Sequence, residues 1–172
     1  MISLPKAIQK QRNVLPKTGQ ITSYQAGDDG DYEAGWWRRR LNANNKTRFV
    51  LKTIAGNDVI CDYATRLMWK ASSQVGLYNW SAAIIAAETL VYANFSNWKL
   101  PNVFELFSII NFGTIAPTLY PLFGLFVPSG HWTSTTVFAF TGLAFYIDLS
   151  DGSIVGDYKT SPDYRVCVCR EF

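Results

Sequence analysis

The chain has 172 residues, the length of a single domain, and a chain of this size buries about 70% of its unfolded surface, enough for a core without disulfide or metal staples. A net charge of +3 is too small for a nucleic-acid binder. Aromatic residues make up 15% of the chain, which points to rings in a core or on a contact surface.

Residues 1–14 are mixed polar and read as an N-terminal arm, with the domain over 15–172. The opening MISLPKAIQKQR lacks the apolar stretch of a secretory signal. LPKTG at 15–19 imitates a sortase signal, but such a signal sits near a C-terminus, ahead of an apolar span, so it is set aside. Residues 15–35, rich in Gly, Asp and Thr, read as turns. Asp28, Asp29 and Asp31 are candidate calcium ligands, yet the spacing of an EF-hand loop does not follow them, and an Asp-Gly turn is the better reading. Trp36 and Trp37 are expected to be exposed or at a subunit contact. Arg38, Arg39 and Arg40 are candidates to meet an anionic glycan, although a solvated basic turn explains them more simply.

From residue 48 the pattern is β. RFVLKTI, a turn at Gly56-Asn57-Asp58 and VICDY predict a hairpin, and RLMWK at 66–70 predicts a short strand. Asn79 is placed to N-cap a helix from Trp80, with Trp80, Ile84, Ala87 and Val91 as its buried face. Leu100-Pro101-Asn102 starts a second helix with an apolar stripe of Val103, Leu106, Phe107 and Ile110, and Glu105 in its first turn suits the helix dipole. Residues 106–130 carry no charge and are long enough to cross a membrane. Gly113, Pro117, Pro121 and Gly124 break that run and Asn111 sits inside it, so it reads as a core helix followed by an apolar loop.

The last forty residues read as strands. Leu143, Phe145, Ile147 and Leu149 alternate with Ala144, Tyr146 and Asp148, the pattern of a half-buried strand. The turn Ser150-Asp151-Gly152, then SIVGDYK and YRVCVCR, complete a β-meander ending at the C-terminus. Strands, two helices and strands in that order give an α+β class.

Cys61, Cys167 and Cys169 are an odd set, so no full disulfide framework is expected. Cys167 and Cys169, two apart in a strand, face one side, a spacing poor for a disulfide. Without a CxxC pair a zinc site is not expected, and the three read as buried free thiols. His131 has Ser129, Thr133 and Ser134 near it in sequence but no acid-rich constellation, so the pattern does not make a hydroxyl nucleophile with its base. No glycine-rich phosphate loop occurs. No catalytic residue, metal ligand or cofactor is expected.

The aromatic motifs point further. RLMWK, NWKLPNVFEL at 97–106, HWTSTT at 131–136 and YRVCVCR at 164–170 each set a large ring or β-former beside an element boundary, which suits core anchoring by Trp69, Trp80, Trp98 and Trp132. In that order they resemble the Lcl C-terminal domain family, whose pattern runs TGLMW, a helix starting at Trp, DWRLPN-x-x-EL, YWSSTT, a W-Y strand, DG and VRCVR. The corresponding residues are Thr65–Trp69, Trp80, Asn97–Leu106, His131–Thr136, Phe145-Tyr146, Asp151-Gly152 and Val166–Arg170, and the likeness extends over about 15–170. Arg66 stands where the family has Gly, Asn97 where it has Asp, and Thr133 where it has Ser. Ala86 and Ala87 stand where its helix carries a Cys, so the family's helix-to-strand bridge is not expected.

The resemblance implies a C-type-lectin-like fold with two helices, a small curved antiparallel sheet and terminal strands close together. It also implies a ligand-binding role, with glycosaminoglycans one ligand class. The same fold carries the variable proteins of diversity-generating retroelements, including phage receptor-binding proteins, and residues 137–164 sit where their variable surface would be. The expected function is therefore recognition of a host-surface protein or a glycan, and the alternative is a structural or assembly domain of a virion or bacterial surface. A homo-oligomer is left open, and nucleic acid and a membrane span are not expected. The expected contact residues are Val137, Phe138, Phe140, Thr141, Tyr146, Asp148, Asp157, Tyr158 and Lys159: Tyr146 and Asp148 on the outward face of the alternating strand, the others before it or after the turn.

Overall fold

The computed structural model describes residues 17–32 and 48–172. The proposed arm over 1–14, and Trp36, Trp37 and Arg38–Arg40, lie outside the described residues.

The architecture is α+β, as the order of patterns implies. After a short helix α1 (Asp29–Tyr32) come β1 (Phe49–Ile54), β2 (Asn57–Asp62) and β3 (Leu67–Lys70). Helices α2 (Trp80–Glu88) and α3 (Val103–Phe107) precede β4 (Gly130–Thr136), β5 (Leu143–Asp148), β6 (Ile154–Tyr158) and β7 (Cys169–Glu171). They form not one curved sheet but two antiparallel ones, of order β1-β2-β3-β7 and β4-β5-β6. The expected meander stops at β6, and β7 crosses to pair with β3. The physical reason lies in Val166-Cys167-Val168-Cys169. Cys167 and Cys169 enter one core cluster and Val166 and Val168 the other, so this stretch is apolar on both faces and runs between two cores. The first and last strands, β1 and β7, lie at opposite edges of the four-stranded sheet rather than side by side.

That sheet is covered on both sides. Ile60, Leu67 and Trp69 face the first cluster, and Val59, Cys61 and Met68 the second. The hairpin turn is Ala55-Gly56, with φ of 49° and 76°, so Asn57 and Asp58 belong to β2 instead of the turn. A two-residue turn with both φ values positive matches the strand twist, which the expected three-residue turn would not. Arg48 and Asp62 form a buried ion pair, with Nε donating to Oδ1 at 2.8 Å and Nη2 to Oδ2 at 2.6 Å. Nη2 also donates to the Ser108 carbonyl at 2.9 Å, tying β2 to the end of α3.

Asn79 caps α2 by accepting from the Ala82 N–H. Ala83 and Ala87 are its buried residues, while Trp80 and Ile84 are half-buried. Val91 is 72% exposed, against expectation. The helix ends at Glu88, so the helical period no longer applies there. Asn102 and Glu105 form a reciprocal capping box on α3. The core helix expected at the start of the uncharged run 106–130 ends at Phe107, earlier than its apolar stripe to Ile110 implied, and the apolar loop expected after it follows. That stretch, with one turn of 3-10 helix at Pro121–Phe123, carries Ile109, Ile110, Leu119, Phe123 and Phe126 into the first core. Among the described residues no helix is long and apolar enough to cross a membrane.

Trp69, Trp98 and Trp132 are buried as expected. The Trp98 indole donates to the Tyr92 carbonyl at 3.1 Å and that of Trp132 to the Tyr78 carbonyl at 2.8 Å. The three cysteines are free and buried, and burial pushes the Cys167 thiol up to about 12.

Candidate functional site

The three-stranded sheet has one end outside the core, where residues 137–142 join β4 to β5. Backbone bonds fix this loop: Val137 N–H donates to Leu143, Phe140 N–H to Val137, Leu143 N–H to Phe140, and Lys159 N–H to Gly142. On that rigid loop Phe138 is 96% and Phe140 66% exposed. Tyr158, paired across the sheet with Leu143, is 68% exposed, and Thr141 is also exposed. Val137 is half-buried against Gly156, where a Cβ would lie 3.0 Å from its methyl.

Lys159 does not reach out freely. Its ammonium donates to Thr136 Oγ1 at 2.8 Å and lies 4.0 Å from the centre of the Trp80 ring. The Trp80 indole in turn donates to the Thr133 carbonyl at 2.8 Å, and the Trp80 main-chain N–H donates to the Lys159 carbonyl at 3.0 Å. Trp80 is therefore a half-buried wall of the site. Local sequence patterns carried no sign of this, because the two residues lie half the domain apart along the chain.

Two expected contact residues sit in the support, not on the surface. Tyr146 stacks on Tyr164 at 4.1 Å between centroids and meets Trp132 edge-on at 6.3 Å. The expectation that it faces out fails because the three-stranded sheet is packed on both sides: Ala144 is fully buried in the second core, while Ile147 and Leu149 enter the first. Asp157 accepts from the Tyr164 hydroxyl at 2.8 Å and from the Tyr158 N–H at 2.7 Å. Burial works against its ionisation, yet these donors together hold its carboxyl below the ordinary carboxylate range. The Tyr164 phenol is pushed up, first by burial and then by the Asp157 carboxylate.

Asp148 lies at the far end of the sheet, opposite Gly130, where it accepts from the Ser150 N–H and hydroxyl at 2.8 and 2.5 Å. It caps the turn and is not part of the cluster. Phe138, Phe140, Thr141 and Tyr158 thus gather at the exposed end with Val137 and Lys159 beneath them. Tyr146 and Asp157 support that end, and Asp148 is remote.

His131 meets Ser73 rather than the hydroxyls near it in sequence. Its Nε2 lies 2.7 Å from Ser73 Oγ, and its Nδ1 lies 2.8 Å from the Ser129 carbonyl. A carbonyl only accepts, so Nδ1 carries the proton and Nε2 accepts from Ser73. Burial, aided by Arg165, lowers the imidazole to about 4, so it is neutral at pH 7. The ring is fully buried, in contact with Phe126.

Two surface grooves lie away from this end. One of about 340 Å³ opens among Arg66, Phe104 and Phe172, and one of about 330 Å³ among Phe112, Ile115 and Asp151. Among the described residues no cluster of three His, Cys, Asp or Glu side chains is placed to hold a metal ion.

None of the curated proteins matches the chain. The model of the Lcl C-terminal domain family matches residues 58–169, from the start of β2 to the start of β7. The match leaves the Gly- and Asp-rich lead-in outside and takes in the buried Trp69, Trp98 and Trp132. The order of those anchors along both cores and the extent of the match agree: the chain belongs to the Lcl C-terminal domain family.

Proposed function

We propose that this domain is a ligand-binding module of C-type-lectin-like type that recognises a host-surface protein or glycan. Its contact surface is the exposed end of the three-stranded sheet: Phe138, Phe140, Thr141 and Tyr158, with Lys159 and Trp80 at their base. The observation that carries the reading is Phe138, 96% exposed on a loop held by main-chain hydrogen bonds. A phenyl ring held in water contributes nothing to the monomer's core, and a cluster of such rings marks an interaction site. Rigid presentation also lowers the entropic cost of binding. Loop side chains there can change without disturbing either core, as a retroelement-diversified or phage receptor-binding surface requires. The reading assigns no catalysis, and the Ser73–His131 pair is sealed from substrate. The alternative, an assembly domain of a virion or bacterial surface, is favoured by one observation, the uncovered edge of β6.

The test replaces Phe138, Phe140 and Tyr158 singly by Ala. Binding is measured to a glycan array that includes sulfated glycosaminoglycans, and to intact bacterial cells. Loss of binding with an unchanged melting temperature supports the reading. Binding that survives all three changes removes it.

A further inference from the structure

The outer edges of the two sheets are treated differently. On β4, the Trp132 N–H donates to Arg165 and the Arg165 N–H to Gly130, both at 3.0 Å, while the Ser134 N–H donates to Pro101 at 2.8 Å. On β7, Lys99 and Cys169 exchange bonds of 2.9 and 3.0 Å. Both strands are thus closed by irregular backbone. Among the described residues no strand pairs with the outer edge of β6, nor with that of β1, but β1 carries the exposed Lys52, a charge that blunts an edge.

The register shows which groups that edge presents. The Asp148 N–H donates to Ser153 and the Lys159 N–H to Gly142, both at 2.9 Å. In an antiparallel ladder bonded and non-bonded pairs alternate, so Ser153, Val155, Asp157 and Lys159 bond toward β5. Ile154, Gly156 and Tyr158 direct their main-chain groups outward. Those of Tyr158 are engaged, its N–H by the Asp157 carboxylate at 2.7 Å and its carbonyl by the Ser161 N–H at 2.9 Å. Ile154 and Gly156 are left with an outward N–H and C=O each. Of the usual protections of an edge, β6 has no proline and no bulge in its register with β5, the one nearby lysine is drawn over Trp80, and its one charge, Asp157, is tied to Tyr164 and Tyr158.

We propose that β6 is a self-association edge, on which two copies of this chain pair antiparallel about a two-fold axis at Val155. In that register Ile154 of each copy meets Gly156 of the other, and each such pair exchanges both its main-chain hydrogen bonds. No other register about a two-fold axis pairs both residues that have outward groups to spare. Val155 faces Val155 of the second copy as the close non-bonded pair. Ile154 and Val155, 43% and 41% exposed, supply apolar area at the axis. The same operation runs Tyr158 of one copy toward the turn of the other that holds Gly152, which packs against Phe112 beside the groove of Phe112, Ile115 and Asp151. Tyr158 and Ile115 are 68% and 80% exposed in the single chain, and the two-fold brings these apolar surfaces to one end. Phe138, Phe140 and Thr141 stay outside the pairing, while Tyr158 is shared with the proposed ligand end, so the dimer is tested by sedimentation alone and the ligand reading by Phe138 and Phe140.

Sedimentation velocity of the full chain across the micromolar range tests this, with Val155→Lys and Val155→Glu made separately. The wild type is expected to dimerise. Each variant alone is expected to dissociate about tenfold more readily, because the Val155 pair is lost and like charges are set opposite each other. An equimolar mixture of the two is expected to recover a heterodimer, because only a two-fold at Val155 puts position 155 opposite itself. Recovery also shows that both variants are folded. If either fails to melt cooperatively, Gly156→Pro, which removes one outward N–H, takes its place and is expected to be monomeric. A monomeric wild type overturns the proposal, whether the edge then takes an extended peptide of another protein or a stretch of this chain. So do variants that remain dimeric, and so does a mixture that fails to pair.

Discussion

The two ends of the three-stranded sheet use the same strands for opposite purposes. At the end formed by Gly130–Thr133 and Ile147–Leu149, His131, Trp132, Thr133, Ile147 and Leu149 are all fully buried, and the segment from Tyr164 bonds along β4. At the other end, the loop 137–142 and Tyr158 hold their rings in water on a backbone no less well bonded. Order and burial are therefore separable. The open end borrows its rigidity from hydrogen bonds and from Trp80, Tyr146 and Tyr164 underneath, which leaves its outer side chains without a packing role. A surface built this way can change its contacts at little cost in stability, while the closed end cannot.

The sharpest way to break this comparison is to truncate a ring at each end. Trp132→Ala should destabilise by roughly 3–5 kcal/mol, as large-to-small changes in a full core do. Phe138→Ala should stay within about 0.5 kcal/mol, as surface changes do. Thermal or urea unfolding of both variants decides it, and equal losses would erase the distinction between the ends.

Proton linkage probes the closed end alone. His131 is held near 4 in the folded chain by burial and titrates near 6.5 when unfolded. Between these values the unfolded chain binds the proton and the folded one does not, so stability is full above the upper value and falls as pH drops toward the lower. The loss is roughly 3 kcal/mol over that window. Comparing urea midpoints of wild type and His131→Gln across it isolates the effect, and parallel curves would count against a sealed neutral imidazole.

A smaller effect measures the brace between the ends. Tyr164→Phe removes the hydroxyl that Asp157 accepts and should cost about 1 kcal/mol. It should also bring the Asp157 carboxyl up toward its ordinary range, readable by NMR titration. The smallest effect belongs to neither end and calibrates the others. Arg66 has φ of 63° where the family pattern has Gly, so Arg66→Gly should raise stability by a few tenths to about 1 kcal/mol. A loss in the melting temperature of that variant would show that the arginine side chain outweighs the strain of its backbone.

The scaffold beneath both ends was largely legible beforehand, because its signals are local. Asn79 and Asn102 name their helix starts through a side chain that caps its own first turn. Trp98, ahead of the second of those starts, and Trp132, near the start of β4, announce burial by size and position. The open end was half legible: Phe138, Phe140 and Tyr158 stand out as rings without a periodic partner. The alternation along β5 misplaced Tyr146, since alternation distinguishes two faces but does not say whether the outer one is covered. The partner of His131, Ser73, was not legible either, because it lies far along the chain.

What the sequence by itself determined was therefore the set of elements, their order, the anchoring tryptophans and the family, all of which rest on spacing within a few turns or strands. Only the tertiary structure decided that β7 leaves the meander, that Lys159 rests on Trp80, and that among the described residues no strand pairs with the outer edge of β6. These depend on which faces meet after the chain has folded back on itself. Hydrophobic pattern fixes how much surface must be buried, but many pairings of the same faces satisfy it, and long-range packing selects one.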